Sequence, residues 1–199
     1  DKKNTLTSYI FPDPYLNQIN TIPLRHTKIK LLQQLLNRAI SDFKKTNKLK
    51  GIDFSERLKN LVDKYNEREE GVVDTELLQQ MFDDLLGLLE ALQVEKASFA
   101  DLGLDYQEKA FYDILLSLAE KYSFTYPEDK LLALAQAVKQ VVDDKAKYVD
   151  WSERDDIKAE LKVELVMLLY KHGYPPVDRS EVYKEIFEQA ENFKKYQTV

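Results

Sequence analysis

Apolar residues recur along most of the chain at spacings of three and four, which is the repeat of an amphipathic α-helix. The first set occupies residues 29–43 and the last residues 182–193. Five further sets lie between them, at residues 58–65, 77–92, 111–122, 131–142 and 157–169. Short connections between such segments favour antiparallel neighbours. The pattern therefore predicts an all-α fold, a multi-helix bundle of about seven helices.

The ends of the chain and its composition refine this picture. Residues 1–23, which include Phe11-Pro12-Asp13-Pro14, are predicted to form an extended arm or linker, and residues 24–199 a helical domain. Only five glycines and six prolines interrupt 199 residues, as expected for a helical protein. The chain has no cysteine and no apolar run long enough to span a bilayer, so we expect a cytoplasmic protein without a membrane partner. Because it opens at Asp1 without Met, we also expect a piece of a larger protein.

The stretch from Trp151 to Pro175 contains the signals for one complete helix. Ser152 followed by Asp155 matches a capping box, in which each side chain binds a backbone amide of the first turn. The second half of the helix is apolar nearly all round, which is typical of a buried central helix. Gly173 can adopt the left-handed conformation that ends a helix, Tyr174 can fold back on the last turn, and Pro175 prevents continuation. The same cap pattern predicts helix starts at three other positions, Asp53, Asp105 and Asp178.

Charge is distributed unevenly along the chain. Residues 24–50 carry eight basic side chains and one acidic side chain, whereas residues 71–105 carry eight acidic side chains and one lysine. The two regions can face each other or solvent, or the basic one can bind a charged partner. In the second case, contact to a DNA backbone would come from seven candidates: Lys28, Lys30, Arg38, Lys44, Lys45, Lys48 and Lys50.

The sequence contains no recognisable catalytic or cofactor-binding motif. Neither of the glycine-rich phosphate-binding patterns occurs, and His26 and His172 are isolated. We interpret His172 as a residue at a helix C-terminus. Two Glu-x-Lys triplets, beginning at Glu128 and Glu160, fall on predicted helices, where residues two apart point to different faces. We therefore predict no catalytic, cofactor-binding or metal-binding residues in this chain.

Several segments together resemble one protein family, the motor (R) subunit of type I restriction enzymes, in its helical C-terminal region. They are Asp42–Arg68, Glu70-Gly71-Val72-Val73-Asp74, Leu102-Gly103-Leu104 with Ala110-Phe111-Tyr112-Asp113, and Val149–Arg154 with the ending His172-Gly173-Tyr174-Pro175-Pro176. These segments span most of residues 25–190. In one respect the chain departs from the family, because the Trp151 helix carries fewer basic residues before its Gly-Tyr-Pro ending.

The resemblance implies a larger parent protein, an ATP-dependent DNA translocase and endonuclease that uses ATP and Mg. This chain would be its non-catalytic docking and coupling module, with no cofactor of its own. Its partners would be the motor lobes of the same chain, the methyltransferase and specificity subunits, and possibly DNA. Two alternatives remain open, a free-standing helical adaptor and a weak, sequence-independent DNA-binding module.

Overall fold

The computed structural model describes residues 14–67, 74–175 and 179–197. Within these ranges there are eight α-helices, one 3₁₀ turn at Trp151–Glu153 and no strand, so the predicted all-α fold is confirmed. The helices are α1 (Pro14–Thr21), α2 (His26–Lys44), α3 (Lys48–Asn66), α4 (Thr75–Asp101), α5 (Tyr106–Lys121), α6 (Glu128–Ala146), α7 (Asp155–Lys171) and α8 (Arg179–Gln197). No helix in the described part of the chain combines the length and apolar character that a membrane span requires.

The N-terminal boundary of the helical region differs from the prediction. Residues 1–13 lie outside the described residues, but Pro14–Thr21 form α1 rather than extended chain. Leu16 and Ile19, three residues apart on this short helix, are both buried. Burial of this apolar pair stabilises the helix. The sequence pattern did not predict it, because prolines lie nearby on both sides.

Of the three helix starts predicted in addition to Ser152, two can be compared with the structure, and one lies outside the described residues. Asp105 forms a complete capping box with Glu108 at the start of α5, as predicted. Asp53 is wrong as a start, because it lies inside α3. Asn47 caps that helix instead, and its Oδ1 accepts a hydrogen bond from the Lys50 amide at 3.0 Å. Asp178 lies outside the described residues.

The residues predicted as one helical domain form two compact units. Unit 1 comprises the described parts of Asp1–Phe43 together with Gly51–Ala97. Its core is mainly aliphatic and lies between α1, α2, α3 and α4, with leucines such as Leu32, Leu36 and Leu85 excluded from water. The apolar residues of α2 and α4 are buried in this core, as their periodicity predicts.

Unit 2 comprises Lys44–Lys50 and the described parts of Ser98–Val199. Its core is built by α5, α6, α7 and α8 and contains more aromatic residues than the core of unit 1. Phe111 and Phe193 meet edge to face with ring centroids 5.8 Å apart, and Trp151 is buried in the same core. Leu49, at the start of α3, packs against this core as well.

Candidate docking surface

The Trp151 turn does not begin the following helix in the way the sequence predicts. Trp151–Glu153 form a separate 3₁₀ turn, and α7 starts at Asp155 with Arg154 as its N-cap and no side-chain cap. The predicted capping box between Ser152 and Asp155 is therefore wrong. Burial of the Trp151 side chain holds the 3₁₀ turn in the core, and the Ser152 hydroxyl accepts a hydrogen bond from Lys194 Nζ at 2.9 Å.

The end of α7 confirms the predicted stop. Gly173 has a φ of +66°, its amide donates to Tyr170 O, and the Tyr174 amide donates to Leu169 O. These two bonds are those of a Schellman motif, which satisfies the last carbonyls of a helix. His172 is the C-cap residue, as expected, and its carbonyl accepts a hydrogen bond from Tyr126 Oη at 2.6 Å. Pro175 follows directly after this turn.

Tyr174 turns inward and joins the end of α7 to the core of unit 2. Its hydroxyl donates to the Leu115 carbonyl at 2.8 Å. Its ring meets those of Phe124 and Tyr126 edge to face, with centroids 5.3 Å apart in each case. Burial raises the pKa of the Tyr174 hydroxyl, because ionisation would place a negative charge in this aromatic surrounding. The side chain is therefore a structural anchor.

Helix α7 carries one apolar face toward the core and a second away from it. We call the first the inward seam; it consists of Ile157, Leu161, Leu165 and Leu169, all buried. We call the second the outward seam; it consists of Ala159, Val163, Met167 and Tyr170, all exposed. In the outward seam, Val163 is 58% exposed, Met167 66% and Tyr170 84%. The prediction that the second half of α7 is buried all round is therefore wrong, since only one of its two apolar faces meets the core.

Charged residues border the outward seam along one edge. Lys145 of α6 binds Glu160 at 3.1 Å and Glu164 at 2.8 Å. The hydrogen bonds to Glu164 and then Glu160 raise the pKa of the lysine. Elsewhere on α7, Lys162 lies 5.5 Å from the Tyr183 ring centroid. Glu160 and Lys162 of the second Glu-x-Lys triplet thus have separate structural partners and do not converge on one site.

The first Glu-x-Lys triplet also lies on a helix. Glu128 begins α6, directly after the N-cap Pro127, and acidic residues in a first helical turn interact favourably with the helix dipole. Among the residues that the structure describes, no group of three metal-ligating side chains comes together.

The seven predicted DNA-backbone candidates are divided between the two units: Lys28, Lys30 and Arg38 belong to unit 1 and the other four to unit 2. In unit 1, Lys28 Nζ lies 4.5 Å from the Phe82 ring centroid, and burial lowers the pKa of this lysine. Lys30 and Arg38 are exposed on α2. These two are therefore the better placed for an outside partner in this unit.

The four candidates in unit 2 occupy the corner between α2 and α3. Lys48 Nζ forms an ion pair with Glu188 at 2.5 Å, and Lys45 Nζ lies 6.0 Å from the Tyr196 ring centroid. Lys50 is half-buried, whereas the Lys44 side chain is exposed. Lys48 is already engaged within the chain, which weakens the case for it as a DNA contact.

Side chains of α8 cap both helices at this corner, which the sequence did not suggest. Asn192 Nδ2 donates to the carbonyls of Lys44 and Lys45 at the end of α2, at 2.9 and 3.0 Å. Gln189 Oε1 accepts from the Lys48 amide at 2.9 Å, and its Nε2 donates to Thr46 O at 3.2 Å. Helix ends leave such groups unpaired, so α8 supplies caps from more than 140 residues away in sequence.

A buried polar cluster below the corner was also missed. Among the described residues of unit 2, the buried polar side chains are those of Asn47, Lys109, Asp113 and Gln189. Lys109 Nζ lies 2.6 Å from Asp113 Oδ1, and Asn47 Nδ2 donates to Asp113 Oδ2 at 2.7 Å. Burial raises the pKa of Asp113, although the lysine opposes the shift. The one available signal was a Lys and an Asp four residues apart in an otherwise apolar stretch of α5.

Comparisons with known proteins agree on one family. A family model for the C-terminal part of endonuclease subunits like that of the type I restriction enzyme HindI matches residues 3–196. The chain is 24% identical over 198 residues to a protein of Methanocaldococcus jannaschii named as the type I restriction enzyme MjaIXP endonuclease subunit. That alignment covers 96% of this chain and 18% of the relative.

A second relative is the type I restriction enzyme HindI endonuclease subunit of Haemophilus influenzae. The identity is 24% over 182 residues, which are 92% of this chain and 16% of that protein. The chain thus spans less than a fifth of the length of either relative. No solved structure matches it. The matched residues include every segment on which the sequence resemblance rests.

Proposed function

The chain belongs to the family of C-terminal regions of HindI-like type I restriction enzyme endonuclease subunits, and from this premise we propose that it is a non-catalytic helical module for docking and coupling. The outward seam of α7 is the observation that supports this role most directly. A helix that is apolar all round is normally buried all round. Here Val163, Met167 and Tyr170 remain exposed although the opposite face of the same helix is buried in the core.

The placement of the chain's remaining polar groups supports the non-catalytic part of this proposal. Lys109 and Asp113 form a buried ion pair, and Asp113 also accepts a hydrogen bond from Asn47, the residue that caps α3. Both Glu-x-Lys triplets lie on helices. These polar groups therefore have structural partners, and the chemistry is expected to lie elsewhere in the parent.

We infer from the family that the parent is an ATP-dependent DNA translocase and endonuclease, with ATP and Mg bound by its motor lobes. The two relatives are named endonuclease subunits. In that setting the module would join the motor lobes of its own chain to the methyltransferase and specificity subunits.

The test is a deletion of residues 149–199 from the full subunit. This deletion removes α7, α8 and the caps that α8 provides, so we expect loss of assembly with the methyltransferase or of DNA-stimulated ATP hydrolysis. Binding of a fluorescent ATP analogue by the motor lobes, measured in the same preparation, should be retained and serves as the folding control. A deleted subunit that assembles, translocates and cleaves normally would favour the free-standing adaptor instead.

A weak DNA-backbone contact is a second candidate, favoured by the exposure of Lys30 and Arg38 on α2. Reversing both charges in the full subunit should weaken binding to unrelated DNA sequences alike and reduce its salt dependence. Lys59→Glu on α3 is a matched control, since Lys59 is also exposed on a helix but lies outside the basic segment 24–50. Fluorescence anisotropy titrations that do not differ between the reversed variant and the wild type would rule out this contact.

A further inference from the structure

The outward seam has a spacing that specifies what can cover it. Ala159, Val163, Met167 and Tyr170 follow one another at intervals of four, four and three residues. Spacings of three and four are the repeat with which one helix packs along another at a small crossing angle. The geometry of the seam therefore fits an aligned helix.

The charges beside the seam add chemistry to this fit. Glu160 and Glu164 lie along one edge, 64% and 44% exposed even though both contact Lys145. Basic residues on the covering helix would meet this acidic edge, as charged residues flank the apolar seam of paired helices. A helix with an acidic flank on that side would be repelled.

The size of the seam decides which molecule supplies the helix. Three exposed side chains of this kind offer only a few hundred Å². A stable interface between separate proteins buries roughly 1,200–2,000 Å² in total. A segment of the same polypeptide needs less area, because the tether gives it a high effective concentration. More than four-fifths of each relative lies outside the region matched by this chain, so such a segment has ample sequence to come from.

We propose that the outward seam of α7 is covered by one amphipathic helix, apolar on one side and basic on its flank, from the part of the same endonuclease subunit that lies outside these 199 residues. This inference rests on the proposed docking role and names the occupant of the docking face. Coverage would bury Val163, Met167 and Tyr170 in the folded subunit, and the seam would be part of the subunit's internal architecture.

Met167 provides a direct measure of coverage, because hydrogen peroxide oxidises exposed methionine to the sulfoxide faster than buried methionine. Trypsin should release it in the peptide 163–171, in which it is the single methionine. We would oxidise the intact full-length subunit, the subunit with its methyltransferase and specificity partners, and the denatured subunit. Mass spectrometry then gives the rate for this peptide, and the half-buried Met81 of unit 1 serves as an internal reference.

We expect Met167 in the native subunit alone to react on the order of tenfold more slowly than in the denatured subunit. Val163→Asp should restore a rate within about twofold of the denatured one, because a carboxylate in an apolar seam opposes docking. Val94→Asp is the matched control: Val94 is 70% exposed on α4 and lies in unit 1, and this change should leave the slow rate intact.

Three results would overturn the proposal. They are a Met167 rate in the native subunit alone that equals the denatured rate, protection that arises only when the methyltransferase and specificity subunits are added, and protection that survives Val163→Asp. None of these results would change the interpretation of the deletion experiment. If deletion of residues 149–199 still abolishes assembly, the docking role stands and only the occupant of this face is wrong.

Discussion

The two apolar faces of α7 have similar side chains and opposite surroundings. The inward seam of leucines and Ile157 is buried in the core of unit 2, whereas Val163, Met167 and Tyr170 on the outward seam are mostly exposed. Hydrophobic character alone therefore does not say which face of a helix is used for folding. The difference between the faces separates residues that should determine stability from residues that should determine docking.

The largest expected difference is between Leu165 and Val163, two residues apart on the same helix. Leu165→Ala should lower the free energy of unfolding by roughly 2–5 kcal/mol, because the side chain is fully buried and its loss leaves a cavity. Val163→Ala should change it by less than about 0.5 kcal/mol. Urea titrations followed by the fluorescence of Trp151, the single tryptophan and part of the same core, measure both. Equal effects would remove the distinction between the faces.

The next prediction concerns two tyrosines, one inward and one outward. The raised pKa of Tyr174 means that the native hydroxyl keeps its proton when the unfolded chain begins to ionise, near pH 10. Its stabilising contribution is thus fully present below that pH and is lost as the pH rises. Wild type should be about 1 kcal/mol more stable than Tyr174→Phe at pH 8 through the bond to Leu115 O. This advantage should fall by up to about 1.4 kcal/mol per pH unit above pH 10.

Urea titrations at a series of pH values from 8 to 11 would follow that loss. Tyr170→Phe, which removes a tyrosine hydroxyl from the exposed outward seam, is the matched control for loss of the hydroxyl. A Tyr174→Phe difference that does not change over this pH range would show that the Tyr174 hydroxyl is not buried.

A smaller effect is expected where the inward seam ends. Gly173→Ala should cost about 1 kcal/mol, because a side chain disfavours the positive φ that Tyr174 needs in order to turn inward. Gly87→Ala should have the opposite sign and stabilise by about 0.5–1 kcal/mol, since Gly87 is inside α4 and an added Cβ meets nothing within 4 Å. Thermal unfolding followed by circular dichroism compares the two. A stabilising Gly173→Ala would contradict the Schellman ending.

The smallest effect is expected on the outward seam itself. Val163→Asp in the isolated 199-residue chain should shift the free energy of unfolding by no more than about 0.5 kcal/mol, because the side chain is exposed there. The same urea titration applies, with sedimentation velocity to detect self-association. A loss above about 2 kcal/mol would mean that the seam is already covered in this chain or in an oligomer of it.

Local patterns predicted much of the helical fold, and they failed where distant groups took part. The Asp105 capping box and the Gly173 stop follow from short-range signals and are found. Ser152 satisfies the same cap pattern as Asp105, but burial of Trp151 draws its turn into the core. The Asp53 start failed because Asn47, six residues earlier, caps α3.

The sequence did not identify the candidate docking surface, because it left open which face of α7 meets the core. The second half of α7 is apolar on nearly all sides, a pattern that predicts full burial. Nothing in the residue types separates Val163 from Leu165 as the partner of the core, because both are aliphatic. The caps from Asn192 and Gln189 could not be predicted either, since they act on backbone groups more than 140 residues away.

The sequence by itself determined that the chain is helical and where some of its helices begin or end, because caps, stops and apolar repeats act within a few residues. Its longer segments also determined which family it belongs to. Only the tertiary structure decided which face of α7 meets the core, which lysines are already paired, and that Asn47, Lys109 and Asp113 form a buried cluster. These outcomes depend on which helices come together in space. Burial and hydrogen bonding depend on that arrangement, and no local sequence pattern predicts them.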